Sequence, residues 1–292
     1  MHELLRAIGF SSVRTKKQLK ALTDWVLENP DHVDISLMTE EDALAVASRE
    51  VNGHAGITVV GTVDESGAIV PEYYFPYAAS SQASSDAPIS FERETEHTGF
   101  IGMCEDPRVG MSLIFHVSNV GHIWKANLAT PFDLEFSHVA LTALCLDGTV
   151  LLPASSKVLV PTEKAPTAMN MFQPEEAEPS DIAAEAFREL KHIHDVTDRL
   201  RKTDVFTVVD NFFMPYGMAT YHYYFLGRIL ASQRLENRLT KEHFYRISME
   251  TNGMPFLAVI HEDDLQGVPE PGYRLKCHGW LSGELAERPD IF

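Results

Sequence analysis

The sequence is poor in cysteine, and its few cysteines are not spaced for cross-linking or zinc binding. The 292-residue chain contains only Cys104, Cys145 and Cys277, which are far apart and never form a CxxC pair. This spacing indicates neither a disulfide framework nor a zinc ribbon, and isolated cysteines of this kind are usually small buried side chains. The cysteine content therefore predicts a reducing, cytoplasmic setting.

Long apolar runs are also absent. Residues 4–8 form only a short apolar patch, which Arg6 interrupts. A membrane span needs roughly 20 apolar residues, and a secretory signal needs a longer apolar core than this patch. Because the chain is 45% hydrophobic and 10% aromatic, it can still build a sizeable core. The sequence thus predicts a soluble globular protein with no membrane partner.

Recognisable catalytic motifs are missing as well. The chain has no GxxxxGK[ST] or GxGxxG loop to hold phosphates, no GxSxG turn for a nucleophilic serine and no HExxH zinc helix. The motif search therefore predicts no catalytic residue and no cofactor. It favours a non-catalytic protein without excluding an enzyme whose site is assembled from dispersed residues.

Negative charge predominates, but it is unevenly distributed. The formal net charge is −18, and such a chain repels the phosphates of duplex nucleic acid. Residues 1–20 are the exception, with a local balance of +4. Their basic residues are Arg6, Arg14, Lys16, Lys17 and Lys20. Lysine is unfavourable in the first turns of a helix, so Lys16, Lys17 and Lys20 either serve an anionic partner or form a solvated face.

The N-terminal half predicts helices that alternate with strands. Thr15 and Gln18 have capping-box spacing, which predicts a helix that ends near residues 29–30. A short strand over 32–38 and a second helix over 40–51 are predicted to follow.

Hairpins are predicted beyond this second helix. Residues 57–63 and 68–75 flank a short turn that contains glycine, and residues 111–117 form an apolar strand. The Asp147-Gly148 dipeptide predicts a further hairpin, between strands 138–146 and 149–153.

The C-terminal half predicts a long helix followed by antiparallel strands. Prolines and an acidic run mark residues 161–179 as a linker. Residues 180–202 have an apolar stripe at helical period, with acids at the start and basic residues at the end. The strands predicted after this helix cover residues 221–231, 243–250, 256–261 and 273–281.

Together these elements predict an α+β fold made of two helix-plus-antiparallel-sheet parts. The N-terminal part covers residues 1–160, and the C-terminal part covers residues 180–292. In the second part the strands form either an open β-meander packed on the long helix or a small, partly open barrel.

Two histidines are the candidate metal ligands. His116 and His278 occupy matched positions in two Gly-x-x-Leu-x-x-His segments, which a diverged duplication or chance would explain. Neutral imidazole is a common metal ligand, but histidine is also a frequent polar partner in half-buried sheets. By contrast, His192 and His194 lie in the predicted long helix, where residues two apart point in nearly opposite directions.

The last predicted strand contains the candidate ligand-binding surface. Strand periodicity places Arg274, Lys276, His278 and Trp280 on one face. A basic strip that ends in tryptophan suits a ligand on an acidic protein, although an ordinary solvent-facing strand would show the same pattern.

Several short runs resemble an uncharacterised bacterial domain-of-unknown-function family. They are the opening run MHELLRAIGF, residues 110–115, residues 214–217 with 224–227, and residues 264–280. The family is found in Gram-positive anaerobes, and its members have about the length of this chain. The resemblance implies a bacterial cytoplasmic protein and implies no activity.

Two functional hypotheses follow from these observations. The first is a non-catalytic ligand-binding or regulatory protein whose partner is an unknown small molecule or protein. The alternative is a metal-assisted hydrolase that uses histidines and carboxylates of the strands. The sequence leaves the ligand and the oligomeric state open.

Overall fold

A computed structural model describes residues 2–37, 43–94, 98–129, 136–153, 209–217 and 221–286. The chain divides into two compact units, residues 1–152 with 211–292, and residues 153–210. All the elements named below belong to the first unit. Its helices are α1 (His2–Leu5), α2 (Lys16–Glu28) and α3 (Val120–Ala129), with 3-10 turns at Arg6–Ile8 and Glu262–Asp264.

Most of the described residues lie in strands that form two sheets. The first sheet is antiparallel, in the order of the chain: β1 (His32–Leu37), β2 (Ala43–Asn52), β3 (Ala55–Val63) and β4 (Ile69–Ala78). The remaining strands form the larger sheet. They are β5 (Ile89–Arg93), β6 (Phe100–Asp106), β7 (Met111–Val117), β8 (His138–Leu151), β9 (Phe212–Pro215), β10 (His222–Glu236), β11 (His243–Thr251), β12 (Met254–His261), β13 (Leu265–Gln266) and β14 (Arg274–Ala286).

Five strands of the larger sheet form a closed ring. β8 pairs with β12 in parallel, and β12–β11, β11–β10, β10–β14 and β14–β8 are antiparallel pairs. Alternate residues of β12 belong to different hydrophobic clusters: Phe256, Ala258 and Ile260 to one, Leu257 and Val259 to the other. This alternation is typical of a small barrel whose interior is filled by side chains.

The predicted α+β fold is wrong, because the described residues are mostly β and their helices are short. β8 comes from the N-terminal half, yet it lies in the ring between strands of the C-terminal half. The two halves therefore do not form separate helix-plus-sheet parts. The predicted helix at 180–202 lies outside the described residues, and the boundaries at 160 and 180 stay a prediction.

The second predicted helix, over 40–51, is wrong as well, since its described residues, from Ala43 onward, form β2. This strand pairs with β1 on one side and β3 on the other, and its side chains at residues 44–47 are buried on both faces of the sheet. Leu44 and Val46 belong to one hydrophobic cluster, whereas Ala47 and Val51 belong to the other. A strand that is apolar on both faces shows no clear alternation, and its alanines favour a helix locally.

The hairpin predicted at Asp147-Gly148 is also wrong, because β8 runs through both residues. β14 pairs along the whole of β8, and a bulge at Leu146 absorbs one extra residue. A Cβ at Gly148 would lie 2.8 Å from both Cys277 Sγ and Ile260 Cδ1. Glycine here permits close packing inside the ring and does not mark a turn.

Other local predictions are confirmed. Thr15 and Gln18 form the capping box of α2. The hairpin around Gly67 is the β3–β4 pair, and the strand at 111–117 is β7. The strands predicted between 221 and 281 correspond to β10, β11, β12 and β14, although their bounds differ by several residues.

Candidate ligand-binding cavities

The N-terminal segment packs against the outside of the ring and forms one wall of a cleft. α1 contacts β8, and the 3-10 turn after it contacts β8 and β12. The cleft has a volume of about 520 Å³. We call it the N-terminal cleft; it is lined by Glu3, Arg6, Phe10, Ser11, Val13, Arg14, Cys145, Leu146 and Asp264.

An arginine–carboxylate pair closes one side of this cleft. Arg6 donates from Nε and Nη2 to the two carboxylate oxygens of Asp264, at 2.5 and 2.9 Å. The hydrogen bonds to Asp264 raise the pKa of Arg6 further above its ordinary value. Two-pronged pairs of this kind fix geometry as well as charge. The guanidinium of Arg6 is therefore already paired within the protein.

A second hydrogen-bonded group lies beside the cleft, around Glu242. The backbone N–H and the hydroxyl of Ser11 donate to this carboxylate at 2.9 and 2.7 Å. His261 Nδ1 accepts the backbone N–H of Asp263 at 3.1 Å, so its proton is assigned to Nε2, which donates to Glu242 at 3.2 Å. A catalytic triad places histidine between the acid and the serine, whereas here the acid lies between the other two. This group therefore fixes the wall of the cleft and does not activate a nucleophile.

A buried asparagine anchors the N-terminal segment. Asn237 Nδ2 donates to the carbonyls of Ile8 and Gly9, at 2.8 and 3.3 Å. Its Oδ1 accepts the N–H groups of Leu239 and Thr240, at 2.9 and 3.1 Å. The side chain has no solvent exposure. It thus joins the cleft wall to the turn between β10 and β11.

Two charged residues that line the N-terminal cleft have no ion-pair partner in the described part of the chain. They are Arg14 and Glu3, and both are exposed. Lys16 and Lys17 follow Arg14 in the first turn of α2 and form no ion pair with a described residue either. The mouth of the cleft beside α2 is therefore cationic, whereas Phe10, Val13 and Leu146 make the lining partly apolar.

A second cavity lies between the two sheets. It has a volume of about 340 Å³, and we call it the inter-sheet cavity. Its lining consists of His32, Asp34, Val46, Ser48, Thr58, Tyr77, Ala78, Ala79, Ser118, Asn119, Val120, Gly121, His122 and Glu284. Asn119 fixes the start of α3, since its amide donates to the carbonyl of Leu285 at 2.7 Å and accepts that residue's N–H at 3.1 Å.

The two acids of the inter-sheet cavity differ in their surroundings. Burial alone would raise the pKa of Asp34, but hydrogen bonds from Lys125 and His32 outweigh it and hold that pKa below its usual range. Burial also raises the pKa of Glu284, and no described residue offsets this effect. Nearby, burial raises the pKa of Tyr77 to about 12.

The predicted ligand strip lies along one face of β14, but its residues line neither cavity. Arg274 is buried, and its Nε donates to the Leu152 carbonyl at 2.9 Å. Lys276 is half-buried. Trp280 is buried in the hydrophobic cluster that includes the N-terminal segment. A ligand on this strip stays a prediction.

The two candidate metal histidines lie in aromatic surroundings. His116 is buried, with ring centroids 4.6 Å from Phe75 and 5.0 Å from Trp280. His278 lies 4.0 Å from the ring of Tyr216, and its Nδ1 is 3.7 Å from a carboxylate oxygen of Asp147. Within the described ranges, no three His, Cys, Asp or Glu side chains are grouped to hold a metal ion. The metal assignment therefore gains no support from these residues.

The sequence signals for the two cavities were unequal. The positive balance of residues 1–20 pointed toward Arg6 and Arg14, which both line the N-terminal cleft. Glu242 and Asp264 lie near strand histidines in the sequence, but their contacts with Ser11 and Arg6 span long sequence separations and could not be predicted from it. Glu284 is one of many acids, and only the folded structure shows that it is buried.

The described part of the chain thus has a mostly β fold built on a closed five-stranded ring, with one cleft against the outside of the ring and one cavity between the two sheets. The chain belongs to the domain-of-unknown-function family DUF3881, whose description refers to an E. rectale gene and whose model matches residues 5–283. This match confirms the predicted resemblance to an uncharacterised bacterial family. No curated protein and no solved structure matches the chain significantly. Among the described helices, none is both long and apolar enough to span a bilayer.

Proposed function

We propose that this chain is a non-catalytic binding protein whose N-terminal cleft takes a small amphipathic anion. The anionic group is a carboxylate or a phosphate that pairs with Arg14. The observation that carries the proposal is an arginine without an ion-pair partner among the described residues, at the mouth of a partly apolar cleft, on a chain with a net charge of −18.

The pairing of the neighbouring charges supports Arg14 as the anion-binding residue. Arg6 is held by Asp264 and cannot turn toward a ligand without breaking two short hydrogen bonds. Arg14 makes one weak contact, from Nε to the Ser11 carbonyl at 3.3 Å, and the rest of its guanidinium remains available. Lys16 and Lys17 add positive charge beside it, which would also speed the approach of an anion.

The lining of the cleft supports an amphipathic ligand. Val13 and Leu146 are half-buried and offer apolar surface, and the volume of about 520 Å³ falls in the usual range for small-molecule sites. Glu3 would repel a second anionic group, so a molecule with one charged end fits better than a polyanion. The hydrogen bonds of Ser11, Glu242 and His261 to one another favour binding over catalysis.

Titration calorimetry with hexanoate, hexyl phosphate and neutral hexanol tests the proposal. We expect the two anions to bind and hexanol to bind at least tenfold more weakly. Arg14→Ala should weaken hexanoate binding about tenfold, which corresponds to about 1.4 kcal/mol. Lys20→Ala is the matched control, because it removes one positive charge from the same segment at a residue that pairs with Asp24.

Two results would overturn this function. One is equal binding of hexanol and hexanoate, which would remove the role of charge. The other is equal affinity of the Arg14→Ala and Lys20→Ala variants for hexanoate, which would place the anion elsewhere.

A further inference from the structure

The inter-sheet cavity contains a partly buried carboxyl group that has no partner among the described residues. Glu284 extends from β14 into a polar space that shares no lining residue with the N-terminal cleft. It is partly buried, and no described residue forms a hydrogen bond or an ion pair with it. Burying a carboxyl group without a partner costs stability, and such groups are concentrated at functional sites.

The other charges around this cavity already have partners within the described structure. Lys125 and His32 both contact the carboxylate of Asp34. Asp34 also lies against the first turn of α3, since a Cβ at Gly121 would be 3.3 Å from its Oδ2. Asp34 therefore offsets the positive end of this helix as well as the charge of Lys125. Glu284 is left as the charge to which a ligand can respond.

We propose that the inter-sheet cavity binds a small hydroxylated primary ammonium ion, whose nitrogen pairs with the Glu284 carboxylate. The hydroxyl groups of Ser48, Thr58 and Tyr77 line the same space and suit the hydroxyls of such a ligand. The volume of about 340 Å³ is near the lower end for ligand sites, so the ligand is small.

An organic cation fits this cavity better than a metal ion does. A divalent metal needs several oxygen or nitrogen ligands, and the described residues contain no group of three that could supply them. An ammonium group needs only one carboxylate and a few acceptors, because its three N–H donors can be shared among hydroxyl oxygens.

Binding of the ammonium ion should be linked to loss of the Glu284 proton. Burial raises the pKa of Glu284, so part of the population is protonated at pH values where an exposed glutamate is ionised. A bound cation favours the ionised form and should lower this pKa. Affinity should therefore increase as the pH rises through the pKa of Glu284. The other titratable groups at the cavity are His32, Asp34, Tyr77, His122 and, through Asp34, Lys125.

The decisive experiment compares 3-amino-1,2-propanediol with glycerol, which has a hydroxyl in place of the amine. The carboxyl carbon of Glu284 is followed by NMR through a pH titration of the full chain, with and without each compound. We expect the amine to lower the pKa of Glu284 and glycerol to leave it unchanged. Glu284→Gln should weaken amine binding at least tenfold, whereas Glu65→Gln, an exposed turn glutamate, should not.

Each possible result of these measurements either supports the proposal or overturns it. The proposal is supported if only the amine binds and the Glu284 signal responds. It is overturned if glycerol binds equally well, if neither compound shifts the signal at millimolar concentration, or if Glu284→Gln binds the amine like the wild type. The wild-type titration decides the matter even if the Glu284→Gln variant does not fold. Hexanoate binding is measured at a different cavity. A negative result for the amine therefore does not affect the proposal made for the N-terminal cleft.

Discussion

The two cavities are built alike but differ in how their charges are paired. A hydrogen-bonded asparagine fixes a wall of each: the buried Asn237 holds the N-terminal segment, and the half-buried Asn119 holds the start of α3. In the N-terminal cleft the half-buried charges, Arg6 and Asp264, pair with each other, and the unpaired ones, such as Arg14, are exposed. In the inter-sheet cavity the unpaired charge, Glu284, is the one that is partly buried.

This difference separates two ways of making a polar site. An exposed, unpaired arginine costs the folded protein little, so a ligand that pairs with it recovers little stability. A carboxyl that is desolvated without a partner costs stability, and a ligand that supplies the missing cation would recover that cost. The comparison predicts that ligand binding at the inter-sheet cavity changes stability and proton uptake more than binding at the N-terminal cleft.

The largest effect should come from removing the anchor of the N-terminal cleft. Asn237→Ala leaves the Ile8 carbonyl and the N–H groups of Leu239 and Thr240 without their buried partner, which should cost about 3 kcal/mol. Denaturant unfolding would give this value, and hexanoate affinity should fall in parallel. A variant that keeps its stability but loses hexanoate would contradict the structural role given to Asn237.

A fully paired buried carboxyl provides the reference for Glu284. Asp106 has 2% side-chain exposure, and hydrogen bonds from Arg108 and Ser85 lower its pKa to about 2. This folded-state pKa lies below the unfolded value. The contribution of the Asp106 carboxylate to the stability of the fold is therefore present above about pH 4 and is lost as the pH falls toward 2. Asp106→Asn should therefore cost about 2 kcal/mol at neutral pH. Unfolding measured from pH 7 down to pH 3 should show this difference shrinking; a constant difference would refute the assignment.

The anchor of the inter-sheet cavity should matter somewhat less than Asn237. Asn119→Ala removes two hydrogen bonds to the backbone of Leu285, and we expect a loss of about 1.5 kcal/mol. Amine binding should weaken, and hexanoate binding should not change. Loss of both ligands together would show that the two cavities are coupled and not separate.

Replacing Glu284 by glutamine should have the smallest effect on the free energy of unfolding. Unlike the other substitutions, it should stabilise the protein as the pH rises. Burial raises the pKa of this group, so the folded state keeps its proton at pH values where the unfolded chain has lost it. Its contribution to stability is therefore greatest at low pH and falls as the pH rises through the folded-state pKa.

Glu284→Gln has no proton to lose, so without ligand it should gain stability relative to the wild type as the pH rises from 4 to 8. Parallel urea titrations at several pH values would measure this, with Glu65→Gln as the control. A wild type that gains stability over this range relative to Glu284→Gln would reverse the sign and contradict the burial argument.

The sequence predicted those elements whose formation depends on nearby residues. The α2 capping box and the hairpin turn at Gly67, which has a positive φ, need only neighbouring groups. β2 and the middle of β8 could not be predicted in this way. Their backbone partners are distant in sequence, and partner strands on both sides override the helical tendency of alanine and the turn tendency of Asp147-Gly148.

The candidate sites divide along the same line. Charge bias along the chain is visible in a sequence, so the basic N-terminal segment pointed toward the lining of the first cavity. Period-two alternation placed Arg274, Lys276, His278 and Trp280 on one face of a strand, but it did not show that Arg274 and Trp280 are buried. Whether a single glutamate is buried depends on the residues that pack around it. The amino-acid composition does not reveal this packing.

The closed ring has a consequence for how the chain folds during its synthesis on the ribosome. β14 pairs with both β8 and β10, so the circle of strands stays open until residues 274–286 have been synthesised. Until then β8 and β10 each expose an unpaired edge to other nascent chains. Long-range closure of this kind is slow. We therefore expect the newborn polypeptide to depend on chaperones for longer than a protein of equal length with local contacts would.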